Sequence, residues 1–177
     1  TDYGKTWANI SKGIPYGAFT RVVREDTKVK NLLFAGTEQG MYLSKDGGLN
    51  WASFQLNLPV TPITDLKVAH NDLIVATAGR SYWILDELNA VREVKASVEK
   101  VSLYTPEKAL LGSWYSSMNG GNLDGYTGTN PFQGQNPASG MVIYYQLPQT
   151  FADSTELTLE IHDAQGNLVR KISSKRN

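Results

Sequence analysis

The stretch SKDGGLNW, Ser44–Trp51, is built as a turn with a fastener. An Asp side chain can accept backbone N–H bonds from the turn it opens, and Gly supplies a positive φ that other residues resist. Ser or Thr hydroxyls satisfy further amides, and a Trp closing the stretch can fold its ring over the turn and bury a large apolar area. The same skeleton stands in TDYGKTW, Thr1–Trp7, as Asp, one residue, Gly, one residue, Thr or Asn, then Trp. Asp2 to Asp46 and Trp7 to Trp51 are both steps of 44 residues.

Between the two motifs the pattern predicts short strands. FTRVVRE (19–25) is an inner strand, LLFAGTE from Leu32 an apolar strand of small residues, GMYLSK from Gly40 an alternating strand, and 50–55 the outer one. A second unit repeats the pattern at 63–69, 72–77 and 81–85. AGTEQGMYLSKD (35–46) aligns on VATAGRSYWILD (75–86) at an offset of 40, which sets Thr37 on Thr77, Tyr42 on Tyr82 and Asp46 on Asp86. The second copy lacks the Gly and Trp that complete the motif, which points to a terminal or degenerate blade, since terminal repeats are commonly atypical. A period of about 40 to 50 residues made of short strands is the signature of propeller blades, each burying its faces only against its neighbours. The blades are expected to end near Val94.

Past that point the composition changes. Residues 96–110 form a linker, and from about Leu111 to Ser139 Gly, Asn, Ser, Pro and Tyr spell a long irregular loop. MVIYYQL (141–147) and ELTLEIHDAQGNLVRKISS (156–174) return to strand patterning; the second is a hairpin in which Leu157, Leu159 and Ile161 alternate and Asp163 to Asn167 supply the turn. Three strands do not close a sandwich. The fold class expected is all-β: residues 1–95 as about two blades of a partial propeller, 96–110 the linker, and 111–177 the long loop with an incomplete Ig-like antiparallel β-sandwich. A start inside a motif leads us to expect a piece of a longer parent.

Composition removes several functions. The 177 residues carry 17 Lys plus Arg against 17 Asp plus Glu, so no net field draws in nucleic acid or an anionic membrane. No apolar run approaches the ~20 residues that span a bilayer. The absence of cysteine excludes disulfides, thiolate metal sites and a cysteine nucleophile, and leaves the compartment open.

Asp46-Gly47-Gly48-Leu49-Asn50-Trp51 after Ser44, with Asp2-Tyr3-Gly4-Lys5-Thr6-Trp7, resembles the BNR or Asp-box repeat found in the propellers of sialidases, xyloglucanase-type glycoside hydrolases and the sortilin luminal domain. The resemblance extends over residues 31–88, which look like the last blades of large secreted, sortilin-like bacterial BNR-repeat proteins often labelled glycosyl hydrolase; in such proteins a β-sandwich follows, and NPASGMVIYYQLP (136–148) with 157–174 resembles its opening strands. It implies an Asp box on the turn between third and fourth strands, away from any central site, and an extracellular or periplasmic parent. Its structural residues here are Asp2, Gly4, Thr6, Trp7, Ser44, Asp46, Gly48, Asn50 and Trp51.

Glycosidases need two opposed carboxylates, and sialidases an arginine cluster with a nucleophilic Tyr. Arg21, Arg24, Arg80, Tyr82, Asp65, Asp86 and Glu87 supply the residue types without a diagnostic spacing. Arg80, Tyr82 and Asp86 are evenly spaced and expected to share a strand face. His70 and His162, the only histidines, are 92 residues apart and expected at strand ends on the surface. Asn122, Asp124 and Gly125 offer a fragment of a calcium loop, too few ligands for a site. Among Trp83, Trp114, Tyr115, Tyr126, Tyr144 and Tyr145, the pair Trp114 and Tyr115 borders the loop and is best placed to stack on sugar.

The expected role is therefore non-catalytic: a structural and recognition portion of an exported BNR-repeat propeller protein that binds a glycan or protein, with Arg80, Tyr82, Asp86, Trp114 and Tyr115 as ligand-contact candidates. No catalytic residue, cofactor, metal or nucleic-acid partner is assigned. The rival is part of a glycoside hydrolase whose site is completed by further blades. Apolar faces and unpaired edges also lead us to expect self-association.

Overall fold

The computed structural model describes residues 2–109, 140–152 and 154–175. Trp114, Tyr115, Asn122, Asp124, Gly125 and Tyr126 lie outside them. The described chain is all-β apart from one short helix, and it divides into two units.

The first unit, drawn from Thr1–Val94 and Leu103–Tyr144, contains two antiparallel meanders. One has four strands in sequence order: β1 (Thr20–Glu25), β2 (Leu33–Thr37), β3 (Gly40–Ser44) and β4 (Ala52–Ser53). The other has three: β5 (Ile63–Ala69), β6 (Asp72–Thr77) and β7 (Tyr82–Leu85). The outer strand expected over 50–55 shrinks to β4, because the turn fastener and a crossing segment use the flanking residues.

The meanders are copies at the level of hydrogen-bond register. Thr20 pairs with Thr37 and Ile63 with Thr77; after each comes an irregularity, between Thr20 and Val22 in one and between Ile63 and Asp65 in the other. The turn after each second strand is closed by the same hydroxyl. Thr37 Oγ1 donates to Gly40 O at 2.9 Å and accepts from Gln39 N at 3.1 Å; Thr77 Oγ1 donates to Ser81 O at 2.7 Å and accepts from Arg80 N at 3.0 Å. The second turn is one residue longer. Consequently Tyr42, opposite Ala35, corresponds to Trp83, opposite Val75, and not to Tyr82. A one-residue shift moves a side chain to the other face of a sheet. Tyr42 is buried while Tyr82 is 77% exposed.

The stacking has a direction. Val22, Phe34 and Met41 on one face of the first meander pack against Ile63, Leu66, Leu73 and Val75 of the second. Phe34 stands opposite Leu43 and corresponds to Ile74, whereas Leu73 corresponds to Leu33. The front of the first copy therefore meets the back of the second. Gly36 is required at this contact: a Cβ there would lie 2.5 Å from Ile63 Cγ2 and 2.8 Å from Val22 Cγ1. The back of the first meander is covered too, with Ala35, Tyr42 and Trp51 packed against Ile14.

Helix α1 (Asn89–Glu93), absent from the strand pattern, begins at buried Leu88, whose N–H donates to Asn71 O at 2.8 Å. Short strands β8 (Ser102–Leu103) and β9 (Tyr145–Gln146) follow; the strand expected over 141–147 is reduced to β9. The second unit, Lys95–Ser102 and Tyr145–Asn177, holds the expected hairpin of β10 (Thr158–His162) and β11 (Leu168–Ser173). No helix among the described residues is long and apolar enough to cross a membrane.

Candidate functional site

The Asp motif closes the β3–β4 turn through one carboxylate. Asp46 Oδ1 accepts from Asn50 N at 2.9 Å and from Ser44 Oγ at 2.8 Å; Oδ2 accepts from Asn50 Nδ2 at 2.7 Å. Ser44, 1% exposed, accepts from Gly48 N at 2.9 Å. Gly47 and Gly48 take φ of 73° and 92°, the left-handed region that glycine enters at little cost. Bonds to Asn50, first its side chain and then its amide, with the Ser44 hydroxyl, hold the Asp46 carboxyl down at about 2. The carboxylate is thus an ionised clasp whose two oxygens both point into its own turn.

The N-terminal motif repeats the clasp. Asp2 accepts from Lys5 N at 3.1 Å and Thr6 Oγ1 at 2.7 Å, and the Thr6 bond leads in pulling its carboxyl below the usual range. The two tryptophans differ. Trp51 is 7% exposed and donates from Nε1 to Ile10 O at 2.6 Å; Trp7 donates to Gly4 O at 3.1 Å and is 91% exposed. Trp51 reaches back to a segment 41 residues earlier, which carries the burial that the clasp alone does not supply.

The turn expected at Asp163 to Asn167 holds a third clasp, which the sequence reading did not recognise as one. Asp163 Oδ1 accepts from Asn167 N at 2.8 Å and from Gln165 N at 2.9 Å, while Oδ2 accepts from Asn167 Nδ2 at 2.9 Å. Asp followed four residues later by Asn, with Gly166 at φ 86°, is the signal that could have found it. Asn167 is foremost in lowering the Asp163 carboxyl. No Trp follows, so the clasp forms without one; Trp51 is what ties its own turn to the segment around Ile10.

The structure corrects the face expected for Arg80, Tyr82 and Asp86. Only Tyr82 lies in β7; Arg80 sits in the turn before it and Asp86 beyond its end. Ser81, at φ 63°, breaks the alternation between Arg80 and Tyr82. The Arg80 carbonyl accepts from Trp83 Nε1 at 2.8 Å. Asp86 joins Asp72, Glu87 and Glu107: burial, then repulsion from Asp72, raises the Asp86 carboxyl, and burial, then Glu107, Asp86 and Asp72, raises Glu87. Among the described residues no group of His, Cys, Asp and Glu can hold a metal ion.

The other catalytic candidates are engaged elsewhere. Arg21 pairs with Glu38, and Arg24 with Asp65 at 2.8 Å. His70 lies in an exposed turn at φ 51°; His162 ends β10, its Nδ1 3.1 Å from Gly166 O. Tyr144 and Tyr145 are part-exposed. A cavity of about 50 Å³ between Met41, Phe54, Leu58, Leu73, Val75 and Trp83 is too small for a sugar ring. A broader depression in the second unit, about 690 Å³, is lined by described residues that include Gln149, Thr150, Phe151 and Leu157 and no ionisable side chain.

One buried charged cluster went unseen in the sequence. The side chains of Arg92 and Asp26 are 5% and 0% exposed and pair at 2.7 Å. Asp26 Oδ1 also accepts from Lys28 N at 2.8 Å and Val29 N at 2.7 Å. Burial pushes the Asp26 carboxyl up; the Arg92 bonds, the two amides and the Arg92 charge outweigh it and leave it below the usual range. Arg92 and Lys28 both donate to Asn71 Oδ1, and Asn71 Nδ2 donates to Glu107 at 2.8 Å. With every partner satisfied, the cluster is a clamp holding α1 to the loop after β1.

Comparison with protein-family models, with curated proteins and with solved structures finds no match for this chain.

Proposed function

We propose that the two meanders are successive blades of an Asp-box β-propeller and that the chain is a non-catalytic structural and recognition portion of an exported protein of that kind, binding a glycan or another protein. The observation that carries this reading is the pair of register-matched meanders stacked front on back, the first fastened by Asp46 and Trp51. A non-catalytic role is supported by the fate of the motif carboxylates: both oxygens of Asp2 and of Asp46 are spent on their own turns, so neither is aimed at a substrate. A catalytic pair also needs two carboxylates across a cleft. The acids that do gather, Asp72, Asp86, Glu87 and Glu107, crowd together on one side.

The test is a polysaccharide panel scored for retention on immobilised protein and for release of reducing ends. Retention without release is the expected result. Release that survives repurification would replace the recognition reading with a glycoside hydrolase, and neither retention nor release would leave a protein ligand as the remaining form of it.

A further inference from the structure

Asn9-Ile10-Ser11 is the one place in the 177 residues where Asn is followed two positions later by Ser or Thr, and the residue between them is not Pro. That triplet is the acceptor pattern for N-linked glycosylation, and it serves only on an accessible surface. Residues 3–13 are exposed throughout. The exposure of Asn9 does not depend on an unfilled neighbouring position. Its counterpart 44 residues on, Ser53, is exposed although it is paired in β4.

The backbone of this segment is anchored, while its side chains face water. Ile10 O accepts from Trp51 Nε1 at 2.6 Å, Lys12 O from Trp51 N at 2.8 Å and Ser11 O from Ile14 N at 3.0 Å. Within the triplet, Asn9 Oδ1 accepts from Ser11 N at 2.9 Å and from Ser11 Oγ at 2.6 Å. Only the oxygen of the amide can accept, so Ser11 fixes which end of Asn9 turns inward. Asn9 Nδ2 is left outward and donates to none of the described residues. Two donors on Oδ1 also draw electron density from the nitrogen and make its protons easier to lose.

We propose that Asn9 is the acceptor of an N-linked oligosaccharide delivered from a lipid pyrophosphate donor. Asn9 Nδ2 bonds to the anomeric carbon of the donor sugar, and the bond from that carbon to the pyrophosphate oxygen breaks. The lipid pyrophosphate leaves with the electron pair, and one Nδ2 proton passes to a base of the transferase. Ser11 holds the amide in position through Oδ1. The folded chain accommodates the product, because the sugar grows from an exposed nitrogen and displaces no buried side chain. Such transfer takes place on the far side of a membrane, so the site rests on the exported location in the reading above and on no other part of it.

The test is the intact mass of the full chain secreted behind a host leader from eukaryotic cells, before and after peptide N-glycosidase. The expected result is a mass raised by one oligosaccharide and returned by the glycosidase, with Asn9 converted to Asp in the peptide that carries it. Asn9→Asp keeps the oxygen that Ser11 bonds and removes the acceptor nitrogen, so a purely structural turn is unaffected while the added mass is lost. Ser11→Ala should lose it as well, and Ser11→Thr should keep it. Where a variant is not secreted, the refolded chain is treated with purified oligosaccharyltransferase and a lipid-linked oligosaccharide, and the same masses are read. Wild-type chain at its bare mass in both settings, or added mass that survives in Asn9→Asp, would overturn the proposal. The polysaccharide panel, run on unglycosylated chain, reports on the recognition reading separately, so either can fail while the other stands.

Discussion

Replacing Arg92 by Met should be among the most damaging single changes in the first unit. Asp26 has no exposed side-chain surface and Arg92 is its only side-chain donor in the described structure, through bonds of 2.7 to 3.2 Å. Removing one member of a buried pair leaves an uncompensated charge and costs about 3–5 kcal/mol. With a urea slope near 2 kcal/mol/M, the midpoint followed by tryptophan fluorescence should fall by about 2 M at neutral pH. The pH dependence identifies the cause. In the wild type the Asp26 carboxyl is lowered, so its contribution is complete above about pH 4 and lost as pH falls through the folded value. In the variant, burial is opposed only by the Lys28 and Val29 amides, so the carboxyl rises from its wild-type position, protonation relieves part of the penalty and the gap to wild type narrows towards pH 3. The Asp26→Asn/Arg92→Met double variant should be less destabilised than Arg92→Met alone. A shift below about 0.5 M, a gap indifferent to pH, or a double variant worse than the single would refute the clamp.

Two further expectations concern the Asp motif. Trp51→Ala should cost about 3–5 kcal/mol, as for other large buried side chains, and Trp7→Ala less than about 0.5 kcal/mol in dilute solution; equal effects in chemical denaturation would mean that the two motifs do the same structural work. The Asp46 carboxyl should titrate at about 2 by NMR, and Asn50→Ala should move it towards the ordinary value near 3.9. The clasp's stabilisation is complete above that value and declines as pH falls towards 2. An unchanged titration in the variant would show that Asn50 is not what holds the charge.

The sequence carried the periodic part of this structure. Apolar alternation located β1 to β3 and β5 to β7, because their inward faces must be buried, and the Asp-to-Trp spacing located the fastened turn. The repeat itself drifts: Thr20 to Ile63 is 43 residues, Thr37 to Thr77 is 40, and Tyr42 to Trp83 is 41. A single offset of 40 therefore matched Tyr42 to Tyr82, one residue away from the true counterpart and on the opposite face. The Asp26–Arg92 clamp left no local pattern, since its members are 66 residues apart and meet only after the helix docks. The shared face expected for Arg80 and Tyr82 failed because the positive φ of Ser81 sets Arg80 in the turn before β7, which residue type alone did not signal.

That drift shows where the repeat accommodates a change of length. A turn that fastens itself through its own Thr or Asp can gain or lose a residue while the strands on either side keep their places. Within a strand the same change would carry every later side chain from the core to the surface. The Thr37 and Thr77 turns differ by one residue and keep the same hydroxyl contact. The corners of the molecule thus accommodate a difference in length that its strands cannot.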